Sequence, residues 1–218
     1  MTASRYRVLI VDDHPVVRRG LRNLFDEQWD FTVCGEAADV TQALTAATQL
    51  QPDFILVDLS LPGANGLKLI TEIQKHQPDL PMLVLSMWDE ILYAERAILA
   101  GAGGYIMKGR PDEEILKAAR QVLSGRIYLS STVEAHLETR LPGHGEEDNP
   151  VERLTDREMA VFRLIGQGYM PRHIARELQL SPSTIEIYRT HLKEKLNLKS
   201  ATQLTRYAVQ WFKDHTGA

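Results

Sequence analysis

Five short apolar runs alternate with amphipathic stretches over the first 125 residues. The runs are Arg7–Val11, Thr32–Glu36, Phe54–Asp58, Met82–Met87 and Gly104–Lys108. Each is short and bounded by polar or turn-forming residues, as a buried strand should be. Between them the apolar positions recur with helical spacing over Pro15–Glu27, Val40–Leu50, Gly66–His76, Glu90–Ala100 and Asp112–Ser124. Asp39 and Gln42 form a capping box at the start of the second of these helices. Five such units predict a parallel five-stranded sheet with helices on both faces. From Ser130 the pattern changes. "STVEAHLETRL" reads as a short helix, "PGHGEEDNP" (Pro142 to Pro150) as a turn-rich linker, and the chain from Leu154 onward as wholly helical. The expected division is a first domain over 1–128, a linker over 129–150, and a second domain over 151–218.

Charge separates the two halves further. Residues 1–130 carry 13 basic and 17 acidic side chains, whereas residues 150–218 carry 11 and 7. The stretch 131–149 is acidic, with 1 and 5. A polyanionic partner is therefore expected at the basic tail. No apolar stretch is long enough to span a bilayer, and "MTASRYR" lacks the apolar core of a secretory signal. A cytoplasmic protein without membrane contact is expected. Cys34, the single cysteine, excludes an internal disulfide and reads as a buried thiol of the second strand.

Ligands of doubly wound sheets bind beyond the carboxyl ends of the strands. Those ends carry Asp12, Asp13, Asp58, Ser86 and Lys108. "VDD" sets two like charges side by side, so their pKa values should climb unless a cation sits there. Few carboxylates and water suit Mg²⁺, which keeps part of its hydration and bridges to phosphate. Asp58 stands apart on its own strand and is the candidate nucleophile toward phosphorus. Lys108 could neutralise a phosphoryl oxygen and Ser86 could donate a hydrogen bond to one. Taken singly, Lys108 is an ordinary surface lysine, Ser86 a turn cap and Tyr105 a packing residue. The signal lies in the set and its spacing.

In the tail, Thr155 with Glu158 makes a second capping box, and Gly166 and Gly168 close that helix. Pro171–Leu178 is a short helix. Ser181 and Pro182 then open a third. Two helices a few residues apart are a helix-turn-helix signature. On a helical wheel Ile185, Tyr188, Leu192 and Leu196 share a core face, while Glu186, Ile187, Thr190 and Glu194 share the opposite one. An exposed Ile187 could meet a thymine methyl, and Glu186 could accept from cytosine N4. Arg189 and Lys193 flank that face, where phosphates would run.

"VDD", "VDLSLPGANG", "LSM" and "GYIMK" match, in order and spacing, the pattern of a bacterial response-regulator receiver domain. Residues 150–214 resemble the LuxR-type helix-turn-helix, so the whole chain resembles a NarL/FixJ-family response regulator. The resemblance implies a flavodoxin-like α/β receiver followed by an all-α DNA-binding domain. It implies that a histidine kinase phosphorylates Asp58, and that Asp12, Asp13, Asp58 and the Ser60 carbonyl hold Mg²⁺. Ser86 and Tyr105 match the paired switch residues and Lys108 the phosphate-contacting lysine. Thr184 to Leu196 matches the recognition helix on double-stranded DNA. Ser200 to Phe212 matches a fourth helix that pairs DNA-bound copies as a homodimer, to which the receiver could add contacts. Glu186 departs from the lysine common in the family, and Ser86 from the commoner threonine. One rival is an aspartate-nucleophile phosphohydrolase, but Ser60 stands where such enzymes carry a second acid. The other is a receiver that dimerises without phosphorylation. The complete set of acids, hydroxyl and lysine argues against it.

Overall fold

The computed structural model describes residues 5–61, 66–139, 150–178 and 180–216. It divides into two compact units, Met1–Leu141 and Pro142–Ala218.

The first unit is a parallel sheet of β1 (Tyr6–Val11), β2 (Phe31–Ala37), β3 (Phe54–Val57), β4 (Met82–Ser86) and β5 (Gly104–Met107), ordered β2-β1-β3-β4-β5. Its helices are α1 (Pro15–Asp26), α2 (Val40–Leu50), α3 (Gly66–His76), α4 (Glu90–Ala100), α5 (Asp112–Leu123) and α6 (Ser131–Thr139). The three central strands read as near-continuous apolar runs because both sheet faces are covered. Val8–Val11 and all of β3 and β4 are buried. Asp39 caps α2 by accepting from the Gln42 N–H, and the Gln42 side chain accepts from the Ala38 N–H. Edge strand β2 alternates instead, and Cys34 on it is half-buried rather than fully enclosed. Its thiol faces the Val8 carbonyl at 3.4 Å.

Strand register positions the site. β1 pairs with β3 from Val8↔Phe54 to Val11↔Val57, and the Asp58 N–H donates to the Val11 carbonyl at 2.8 Å. Asp12 and Asp58, each one residue past its strand, therefore emerge side by side. This is the point where the chain leaves β1 for β2 and returns to β3, so the crossovers diverge and leave a crevice.

At the other edge, Tyr128 pairs its backbone with β5. Its N–H donates to the Gly103 carbonyl, and its carbonyl accepts from the Tyr105 N–H, both at 3.0 Å. Helix α6 follows directly. It packs on α4 with Val133 buried, and the Ser130 hydroxyl accepts from the Val133 N–H. The acidic residues 140–149 lie outside the described residues.

The second unit opens with a short 3-10 turn, Pro150–Arg153, and continues through α7 (Asp156–Gly166), α8 (Pro171–Glu177), α9 (Pro182–Lys195) and α10 (Ala201–Thr216). Thr155 and Glu158 complete the predicted capping box, and the Ser181 hydroxyl accepts from the Thr184 N–H. Gly168, at φ +85°, turns the chain after α7. Gly166 allows α10 to approach, since a Cβ there would lie 2.7 Å from the Ala208 carbonyl oxygen. Phe162, Ile174, Ile185, Leu192, Leu204 and Ala208 form the core between the helices. Each large side chain so enclosed stabilises the unit by about 1.5–3 kcal/mol. Tyr188 is only half-buried, although the wheel places it on the core face, because the interior is filled by Ile185 and Leu192 on either side of it.

Candidate functional site

Three buried or half-buried carboxylates meet at the crevice. Asp12 is 1% exposed and Asp58 2%. Lys108, at the end of β5, reaches both: its Nζ lies 2.6 Å from Asp12 Oδ2 and 2.7 Å from Asp58 Oδ2. The Lys108 backbone N–H donates to the Ser86 carbonyl at 2.7 Å, which locks the β5 end to the β4 end. Burial alone would lower the Lys108 pKa, but the Asp58 and Asp12 carboxylates outweigh it and raise it.

The Asp13 pKa is raised, and burial rather than repulsion from Asp12 is the larger cause. Against that burial, His14 and a backbone hydrogen bond lower it, while Asp58 and Asp12 raise it further. His14 Nδ1 sits 2.6 Å from Asp13 Oδ1. The remaining Asp58 oxygen accepts from the Ser60 N–H at 3.1 Å, so the loop after β3 folds back over the carboxylate. Gly66 supports it from behind: a Cβ there would collide with the Asp58 carbonyl oxygen and lie 2.7 Å from Leu59 Cα. One ligand atom each from Asp12, Asp13, His14 and Asp58 fall within 4.8 Å of one another. Carboxylate oxygens in that density fit a hard divalent cation, which would take over the charge neutralisation Lys108 supplies.

Ser86 is fully buried, and its Oγ accepts from the Trp88 N–H at 3.4 Å. Tyr105 points inward, and its hydroxyl donates to the Trp88 carbonyl at 2.7 Å. Burial pushes the Tyr105 phenol well above its ordinary value, against a lowering contact from Ser86. The Trp88 ring packs on Tyr93 of α4, with centroids 4.6 Å apart. Ser86 and Tyr105 thus join through the Trp88 backbone, and from there to α4. Beside Lys108 a cleft of about 480 Å³ opens, lined by His14, Val17, Met87, Gly109 and Arg110 among others.

In the second unit Ile187 is 56% exposed, and Glu186 and Thr190 are exposed beside it. Thr184 and Lys193 are half-buried. The Arg189 side chain turns back along the helix toward Glu186. It donates from Nη1 to Glu186 Oε1 at 2.9 Å. Residue patterns alone left three supports unseen. Trp88 supplies the acceptor for Tyr105, and His14 contacts Asp13. Glu158, besides closing its capping box, accepts from Lys195 Nζ at 2.7 Å and ties α7 to α9. The capping box was legible; the partner 37 residues further on was not.

Residues 8–120 match the response regulator receiver domain, and residues 152–208 match the bacterial regulatory proteins of the luxR family. The chain is a response regulator. It is 36% identical over 210 residues to the oxygen regulatory protein NreC of Staphylococcus carnosus, covering 94% of this chain and 97% of that one. Among solved structures it is similar to the RcsB response regulator of Salmonella typhimurium, at 25% identity and a TM-score of 0.71, over 95% of this chain and 98% of that one. It is also similar to RcsB from Salmonella enterica serovar Typhimurium bound to promoter rprA in the presence of the phosphomimetic BeF3⁻. That match has 28% identity and a TM-score of 0.63, and covers 94% of this chain and 99% of that one. A response regulator with a receiver followed by a LuxR-type domain accounts for both units. Among the described residues no helix is long and apolar enough to cross a membrane.

Proposed function

We propose that this response regulator takes a phosphoryl group from a histidine kinase onto Asp58 and thereby controls sequence-specific DNA binding and transcription. The supporting observation is the placement of Lys108 Nζ within 2.7 Å of both Asp58 and Asp12. An Asp58 Oδ attacks the phosphorus, and the phosphorus–nitrogen bond of the donor phosphohistidine breaks with its electron pair going to nitrogen. The imidazole leaves neutral because its other ring nitrogen already carries a proton. Lys108 follows the new phosphoryl oxygens with its ammonium, and Ser86 Oγ donates to one of them. Tyr105 holds the Trp88 carbonyl while the β4–α4 connection adjusts. Asp12, Asp13, Asp58 and the Ser60 carbonyl would hold Mg²⁺, which when bound neutralises charge on the phosphoryl oxygens. The chain's own turnover is limited to slow hydrolysis of its aspartyl phosphate.

The domains we assign are the receiver over 1–128, a connecting segment over 129–150 and the DNA-binding domain over 151–218. Thr184, Glu186, Ile187, Arg189, Thr190 and Lys193 face double-stranded DNA. Two copies pair through α10, with the receiver as a further contact, in the cytoplasm. Incubation with acetyl phosphate and Mg²⁺, followed by trapping of the acyl phosphate, tests the acceptor. Wild type should label, and Asp58→Asn should not. Labelling of Asp58→Asn at the wild-type level overturns the assignment.

A further inference from the structure

Residue Glu186 has two uses open to it. It can accept a hydrogen bond from a cytosine amino group, or it can hold something else that reads DNA. The structure favours the second. Its Oε1 already accepts from Arg189 Nη1 at 2.9 Å. The Arg189 side chain is 18% exposed, while that of Glu186 is 61% exposed. The arginine therefore lies inboard along the flank of α9, and the glutamate stands at its outer edge. A helical side chain leans toward the N-terminus of its helix, so the Arg189 guanidinium is carried back one turn to the level of Glu186. That is the half of a recognition helix that meets base edges. Glu186 also precedes Arg189 by three residues, the order in which an acid and a base support each other on a helix.

We propose that Glu186 and Arg189 form one reading unit, in which the carboxylate is a positioning residue and the guanidinium reads guanine. This rests on the DNA-binding reading of the second unit. Arginine has five N–H donors, and among the described residues one of them is engaged, by Glu186. Two are enough for the bidentate contact to guanine O6 and N7. An arginine held before the encounter loses less freedom on binding than a free one. A fixed carboxylate beside it also sets the direction of the fork. Thr190 fits the same scheme. Its hydroxyl donates to the Glu186 carbonyl at 3.0 Å, so toward a base it offers its methyl group and an acceptor lone pair. Ile187 adds an apolar contact for a thymine methyl.

The test is selection from a randomised duplex library by the full-length protein, treated with acetyl phosphate and Mg²⁺, at fixed salt. Wild type, Arg189→Ala, Arg189→Lys, Glu186→Ala, Glu186→Gln and the double Glu186→Ala/Arg189→Ala variant are compared. Circular dichroism melting confirms that each is folded. Arg189→Ala should lose guanine preference at one base pair by about tenfold or more. Glu186→Ala should weaken preference at that same base pair, and Glu186→Gln should restore part of it. The double variant should be no flatter there than Arg189→Ala alone, and Arg189→Lys should fail to substitute. If Glu186→Ala changes a base pair that Arg189→Ala leaves untouched, Glu186 reads a base directly and the unit is refuted. If Glu186→Ala tightens all sequences alike with the preferred site unchanged, the pair has no reading role. Failure of wild type to select any sequence is a separate outcome, which overturns the DNA-binding reading itself.

Discussion

Replacing Lys108 with methionine keeps most of the length of the side chain and removes its charge. In the wild-type site the ammonium lies 2.6 Å from Asp12 and 2.7 Å from Asp58. Its side chain is 11% exposed and those of its two partners 2% and 1%, so solvent screens the contacts little. Removing one partner of such a pair costs about 3–5 kcal/mol, because the charge left behind is buried and uncompensated. The lower end of that range, about 3 kcal/mol, is expected. At about 3 °C per kcal/mol for a unit of this size, the melting temperature should fall by about 9 °C in EDTA. Divalent cation should narrow the gap. Mg²⁺ at about 100 times its Kd contributes about 2.7 kcal/mol. The gain should be larger in Lys108→Met, where no ammonium competes for Asp12 and Asp58. Differential scanning calorimetry with EDTA and with excess Mg²⁺ gives both numbers. A variant that melts with wild type in EDTA would refute the reasoning, since the lysine would then offset no carboxylate repulsion. The same conclusion follows if Mg²⁺ stabilises wild type more than the variant. In wild type the raised Lys108 pKa means that this stability is intact below the ordinary value of 10.5 and is lost as pH climbs through the folded value.

Glu158→Gln should destabilise the second unit by about 1–2 kcal/mol, through the loss of the carboxylate charge that Lys195 and the Thr155 backbone N–H meet, while a glutamine oxygen still closes the capping box. Burial raises the Glu158 pKa, but Lys195 and Thr155 outweigh it and hold the group below its ordinary 4.5. That stability is therefore present above pH 4.5 and is lost as pH falls through the lower folded value, so the acid limb of a melting profile should flatten in the variant. Gly66→Ala forces a Cβ onto the Asp58 carbonyl and Leu59. A loss of about 1–3 kcal/mol in denaturant titration and slower acetyl-phosphate labelling are expected, and normal labelling would separate Gly66 from the placement of Asp58. The acidic segment competes with DNA for the basic tail if the tether makes that competition intramolecular. Replacing Glu146, Glu147 and Asp148 by their amides should then tighten non-specific DNA binding of the unphosphorylated chain at low salt, and unchanged anisotropy titrations would exclude the competition.

Strand and helix positions were legible because burial is periodic and the sheet is covered on both faces. The boundaries of α2, α3 and α4 fall where the spacing places them, while β3 and β5 end one residue sooner, at Val57 and Met107. Asp58 and Lys108 are thereby freed from the ladder to turn into the crevice. Strand order explains why residues as distant as Asp12 and Lys108 could be proposed together: every parallel strand delivers its last residue to the same edge. Side-chain pairings across the fold carry no such periodicity. Nothing local to Glu158 announces Lys195, and nothing in "LSMWDE" announces that the Trp88 carbonyl receives the Tyr105 hydroxyl. Arg189 shows the limit on a single helix. A wheel gives its direction from the axis, but not that its side chain leans back onto Glu186.

Tyr128 makes the receiver harder to transplant than its five βα units suggest. A chain cut after α5 would strip the Gly103 carbonyl and the Tyr105 N–H of their partners and leave β5 as an open sheet edge. Bare edges recruit strands from other molecules. A chimaera joining this receiver to a foreign output domain at residue 125 should therefore self-associate, whereas a junction after Thr139 keeps both the edge cover and the packing of α6 on α4. The exchangeable module is thus longer than the sheet and its five helices.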